Sequence, residues 1–263
     1  AQGGELEAVV RAGLRPDGLG MVVNASRSIM HADDPRREAQ RLRDAINRVR
    51  QTLRAEGTAG GDPQTREMRA LAHGLFEAQC VCFGDFVLHS GAHSPIYVDL
   101  RRLVTYPALL ERVARCYARL LSELEYDRIA AIPYAALPIG TAVSLQTGRP
   151  LIYPRRESKE YGTRRQIEGE FHAGETAVLL DDLVTSGGSK VEAMEPLLAA
   201  GLAVRDVVVL IDREQGGAAD LARRGYRLHA AMTLRQLVEL LAADGALGAS
   251  EAQRVRDYLE GRG

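Results

Sequence analysis

The stretch AVLLDDLVTSGGS, residues 177–189, constrains this chain more than any other. An apolar run ends in two adjacent carboxylates, a small-residue loop follows, and Lys190 opens an amphipathic segment. Residues 177–180 are short, aliphatic and bounded by polar residues, as expected of a strand buried on both faces. Val191, Met194, Leu197 and Leu198 then recur at helical spacing. Gly187 and Gly188 allow tight turns and leave room beside the main chain. Such a strand–loop–helix unit aims backbone N–H groups and a helix N-terminus at one point, which is a site for phosphate.

Two carboxylates beside a phosphate nest would repel it, unless they accept hydrogen bonds from neutral hydroxyls on the same ligand. A ribose 5-phosphate has that arrangement, with its phosphate in the loop and its 2- and 3-hydroxyls on Asp181 and Asp182. The pattern GxxxxGK[ST] cannot be laid over residues 182–190, and no GxGxxG occurs. An ordinary glycine-rich turn after a buried strand is the bland alternative.

The same alternation runs through the rest of the chain. Residues 128–132, 151–153, 206–211 and 227–230 read as strands, and 107–124, 137–147, 217–224, 233–243 and 250–259 as helices. Strands alternating with helices imply right-handed crossovers and a parallel sheet covered on both faces, so the expected class is α/β. Ligands of such sheets sit beyond the carboxyl ends of the strands, where the Asp-Asp loop falls. Pro196 lies inside its helix and should kink it. Upstream, 63–78 reads as a helix, and 83–88 with 96–99 as paired strands.

Segment 57–63, GTAGGDP, reads as a linker between an amino-terminal piece, 1–56, and a main domain, 64–263. In the first piece, 20–23 reads as a strand. A helix capped by Asp33 or Asp34, with Pro35 first, should run to about Leu53 and carry Ala39, Leu42, Ile46 and Val49 on one stripe. The size of 263 residues allows a full core plus such an appendage, and the net charge of −1 offers no basic field for nucleic acid. No apolar run approaches membrane-spanning length. Cys80, Cys82 and Cys116 lack CxxC spacing and read as reduced thiols of a cytoplasmic protein. The histidines show no metal-ligand spacing, so no protein-held metal is expected.

Residues 155–171, RRESKEYGTRRQIEGEF, interleave cations and acids without an apolar period. A lid over a substrate with several phosphates would have this character, and a solvated hairpin is the alternative. In LIDREQGG, residues 210–217, Arg213 follows a buried run and can grip a planar carboxylate through two parallel hydrogen bonds, or serve a structural ion pair. FVLHSGAHSPIYVDLR, residues 86–101, suggests a hairpin hood, with His89 more naturally a surface histidine than a catalytic one.

Together these segments resemble the orotate phosphoribosyltransferases, members of the type I phosphoribosyltransferases, over about 65–241. The hood, the lid wording YPRRESKEYGTRRQIEGE and DREQGG are specific to the orotate branch. The lid and IPYAALP, residues 132–138, are similar to the branch within bifunctional uridine monophosphate synthases. The resemblance implies a central parallel sheet flanked by helices, with a small hood. It implies that Asp181, Asp182, Leu183, Val184, Thr185, Ser186, Gly187, Gly188 and Ser189 form the phosphoribosyl pyrophosphate loop, with the two aspartates on the ribose hydroxyls. Arg155, Arg156, Lys159, Tyr161, His89 and Tyr134 would serve the pyrophosphate side, with Lys159 the most important for catalysis. Thr185 and Arg213 would contact orotate. Mg²⁺ would be carried on pyrophosphate and ribose oxygens, and a homodimer would let each lid reach its partner's site. Three positions depart from the family's usual pattern: His89 and Arg156 stand for lysines, and Tyr161 for a frequent histidine.

Residues 1–54 resemble the last strand and final helix of orotidine 5′-monophosphate decarboxylase, a (β/α)8 barrel in which Arg27 would grip the nucleotide phosphate. The expectation is a carboxyl-terminal part of a fused decarboxylase–transferase, without decarboxylase activity of its own. The implied reaction transfers phosphoribose to orotate in pyrimidine synthesis. A regulator that only binds phosphoribosyl pyrophosphate, or a transferase for another base such as a purine, are the alternatives.

Overall fold

A computed structural model describes residues 29–32, 34–57, 63–87, 91–155 and 166–261. The chain divides into two compact units, Ala1–Arg66 and Glu67–Gly263. In the first, helix α1 (Pro35–Gly57) starts at Asp34, whose carboxylate accepts the Arg37 N–H at 3.1 Å. Pro35 fills the first position, where its missing N–H is not needed. The helix continues past Leu53 because Arg54, Ala55 and Glu56 are good helix formers and Gly57 is the first breaker. Leu42 and Ile46 are half-buried, but Ala39 is exposed and does not belong to the stripe. The strand expected at 20–23, Arg27 and the centre of the linker lie outside the described residues.

Helix α2 (Pro63–Glu77) carries the chain into the second unit and buries Leu71, Ala72 and Leu75 there. Strands β1 (Val81–Val87) and β2 (His93–Val98) pair antiparallel as the hood, with a bulge between Phe83 and Phe86. Both strands start earlier than their local pattern suggests, because pairing of Val81 with Val98 and of Val87 with His93 sets the limits. A 3-10 turn, Leu100–Thr105, follows; the Asp99 carboxylate accepts the Arg101 N–H at its start. Then come α3 (Pro107–Leu121), β3 (Arg128–Ala131), α4 (Ala136–Thr147), β4 (Leu151–Pro154), β5 (Ile167–Glu168) and β6 (Thr176–Val184). Helix α5 (Gly188–Ala199), β7 (Ala203–Asp212), α6 (Gly217–Arg223), β8 (Arg227–Thr233), α7 (Leu234–Ala243) and α8 (Ala249–Leu259) complete the unit.

The sheet order is β5-β4-β3-β6-β7-β8, parallel throughout except for the edge strand β5. Alternate residues of the central strands feed two separate cores, as the pleat requires. Ile129, Val178, Leu180, Val208 and Leu210 meet α2, α3, α4, α7, α8 and the hood. Ala130, Ala177, Leu179, Val207 and Val209 meet Met194 and Leu197 of α5 and Leu221 of α6. Each fully buried leucine contributes about 2 kcal/mol of transfer free energy, so the sheet is held firmly from both faces. Pro196 is accommodated one turn from the end of α5.

Candidate active site

Parallel pairing brings the ends of β3, β4, β6, β7 and β8 to one edge of the sheet, and Tyr134, Arg155, Asp181, Asp182, the loop after β6 and Arg213 lie at those strand ends. Strand β6 runs four residues beyond the apolar run, so Asp181 and Asp182 are strand residues and not the start of the loop. Polar side chains at a strand end look like loop from local composition; pairing of Asp181 with Val209 and of Leu183 with Ile211 decides otherwise.

Asp181 is 7% exposed and pairs with the Lys190 ammonium from the first turn of α5, itself 5% exposed. Its Oδ1 also accepts the Asp182 N–H at 2.9 Å, and Asp182 Oδ1 accepts the Leu183 N–H at 2.8 Å. Burial, with the Asp181 charge added to it, raises the pKa of Asp182 well above the usual carboxylate range. Lys190 balances one acid and burial tends to neutralise the other, so the pair does not present two full negative charges to an incoming phosphate. Lys190 read as no more than a helix opener; its partner sits nine residues back across a loop.

Tyr117 is a second residue without a sequence signal. It is fully buried on α3, and its hydroxyl donates to the Asp181 carbonyl oxygen at 2.6 Å. Burial raises its pKa, and the charges of Asp182 and Asp181 add to the effect.

After Val184 the chain turns through Thr185, Ser186 and Gly187, the last with φ +85°, into α5. No side chain caps that helix, so its first amides face the loop. A Cβ at Gly188 would meet nothing within 4 Å, which leaves the main chain open to a ligand. Behind the loop the packing is tight. A Cβ at Gly217 would stand 2.5 Å from the Thr185 carbonyl oxygen, so only glycine lets α6 back the loop this closely.

Arg213 follows β7 on the same edge, and its N–H donates to the Val184 carbonyl at 3.0 Å. Its Nε and Nη2 are buried without a hydrogen-bond partner among the described residues. Arg155 follows β4: its N–H donates to Gln166 O at 2.8 Å and its Nε lies 2.8 Å from Glu168 Oε1. The two-residue strand β5 pairs antiparallel with the end of β4. Tyr134, in the turn after β3, is 61% exposed. Arg156, Lys159, Tyr161 and His89 lie outside the described residues. Among the described residues no group of three or more His, Cys, Asp or Glu is gathered to hold a metal ion, and no helix is long and apolar enough to cross a membrane.

No protein-family model matches the chain. Over 254 residues, 94% of the chain, it is 37% identical to the bifunctional enzyme PyrF/PyrE of Nostoc sp., of which it covers 53%. It is 36% identical to the orotate phosphoribosyltransferase of Pyrococcus furiosus, covering 63% of this chain and 92% of that protein. Among solved structures, UMP synthase of Leishmania donovani superposes with a TM-score of 0.68 at 45% identity, over 99% of this chain and 54% of the other. The chain thus spans about half the length of the bifunctional proteins it matches.

Proposed function

We propose that this chain, which belongs to the orotate phosphoribosyltransferase family, transfers the 5-phosphoribosyl group of phosphoribosyl pyrophosphate to N1 of orotate. The products are orotidine 5′-monophosphate and pyrophosphate, on the path to UMP. Its α/β sheet with an antiparallel hood is the type I phosphoribosyltransferase fold. The observation that carries the reading is the pair of orphaned, buried nitrogens of Arg213, at the end of the strand that pairs with β6 and so beside the loop after Val184. A carboxylate on the acceptor base would satisfy both at once.

The amides and hydroxyls of Thr185, Ser186, Gly187, Gly188 and Ser189 would hold the 5-phosphate. Asp181 and Asp182 would accept the ribose hydroxyls, and those donors would draw Asp182 toward its ionised form. Two ionised acids beneath the sugar favour the positive charge that grows at the anomeric carbon as pyrophosphate departs. Thr185 and Arg213 would hold orotate on the opposite side of that carbon, so that N1 needs no covalent help from the protein. Arg155, Arg156, Lys159, Tyr161, His89 and Tyr134 would attend the pyrophosphate, with Lys159 neutralising it as it leaves. Mg²⁺, carried on phosphate and ribose oxygens, would offset further negative charge there. A homodimer in which each lid serves its partner's site belongs to the same reading; the exposed apolar side chains Val104 and Leu145 support it.

The bifunctional relatives support a longer role, in which 1–56 ends a decarboxylase barrel, with Arg27 on the nucleotide phosphate, and 64–263 is the transferase. The test is loss of orotate absorbance on adding phosphoribosyl pyrophosphate and Mg²⁺, with purines and uracil as competing bases. No loss, or a purine used in preference, refutes the reading. Arg213→Ala should raise the orotate KM by about 10- to 100-fold, the range for losing a charge-assisted contact.

A further inference from the structure

We propose that Glu214 is a positioning residue that sets the Arg213 guanidinium for the carboxylate of the base; the inference rests on the assignment of Arg213 above. Glu214 has φ +57°, in the left-handed region that non-glycine residues seldom enter. Three contacts hold it there. Its N–H donates to Asp212 Oδ1 at 2.8 Å, its Oε2 accepts the Arg235 N–H at 3.0 Å, and its Oε1 lies 3.7 Å from Arg235 Nε.

The carboxylate therefore sits on the first turn of α7, where the helix dipole favours an anion. That turn is itself anchored: Thr233 Oγ1 accepts the Gln236 N–H at 3.2 Å, and Gln236 Oε1 accepts the Thr233 N–H at 2.9 Å. Arg213 is thus fixed on one side by β6, through Val184, and on the other by a turn pinned to α7. Holding a guanidinium with two buried, unpaired nitrogens is unfavourable unless the backbone on both sides prevents it from swinging out to water. Glu214 supplies the second restraint. It touches no reacting atom and acts only through its neighbour.

Glycine and asparagine both enter the left-handed region readily, and neither side chain reaches Arg235. Glu214→Gly and Glu214→Asn therefore keep the turn but remove the anchor, while Glu214→Gln keeps an acceptor oxygen at the same reach. In steady-state assays the first two should raise the orotate KM about tenfold, with kcat and the KM for phosphoribosyl pyrophosphate within about twofold. Glu214→Gln should stay within about threefold of the parent. If one of the first two does not fold, melting curves will show it, and the other carries the test. Unchanged orotate KM in these variants, equal damage in Glu214→Gln, or a matching rise in both substrates' KM overturns the role. Arg213→Ala, run alongside, separates the two readings: if it leaves the orotate KM unchanged, the assignment of Arg213 is what fails.

Discussion

Replacing Asp182 with asparagine should make the ligand-free protein more stable and the enzyme worse. The carboxyl is half-buried beside Asp181, and its pKa is pushed up from 3.8 to about 7. A rise of about three units corresponds to about 4 kcal/mol at full ionisation. Relaxation of the site and sharing of the charge with Asp181 reduce this to about 2 kcal/mol. The sign follows from proton counting: between pH 4 and 7 the folded protein holds a proton that the unfolded chain has released. The stabilisation is complete below about pH 4 and is lost as pH rises through 7. Asparagine has no charge to bury and keeps the oxygen that accepts the Leu183 N–H. Asp182→Asn should therefore melt about 4–8 °C higher at pH 8, with the gap shrinking toward pH 5. The same variant should lose about 10- to 100-fold in kcat/KM for phosphoribosyl pyrophosphate, since an amide oxygen is a poorer acceptor for ribose hydroxyls. Melting curves from pH 5 to 8 without ligands, subtracted between the two proteins, isolate the effect. A gap that is absent at pH 8, or independent of pH, refutes the argument.

Gly217→Ala should push Thr185 and its loop outward, because the new Cβ would stand 2.6 Å from Val184 Cγ2 as well as against the Thr185 carbonyl. Overpacking of this kind costs about 1–3 kcal/mol, read as a lower melting temperature. The KM for phosphoribosyl pyrophosphate should rise about tenfold; an unchanged KM in a folded variant would show that the loop's seat does not matter. Lys159→Ala should lower kcat more than it weakens orotate binding, measured by initial rates at saturating substrates; normal turnover would contradict its placement on the leaving group.

The α/β class, the order of elements and the strand–loop–helix unit around residues 177–199 were legible in the linear chain, because hydrophobic period, glycine and caps act over a few residues. Thr233 beside Gln236, or Pro35 after Asp34, needs only near neighbours to specify a helix start. Other features exist only through distant partners. Strand β6 continues through both aspartates because β7 lies alongside it, and β5 is a strand only because β4 is there to pair with. Lys190 becomes the counter-ion of Asp181, Tyr117 reaches the Asp181 carbonyl, and Gly217 sets the depth of the loop, each across a fold that no local pattern encodes. The chain by itself therefore determined which chemical groups stand at the strand ends. Tertiary packing alone decided their charge, their spacing and which nitrogens were left without a partner, since burial and electrostatics depend on what comes close in space.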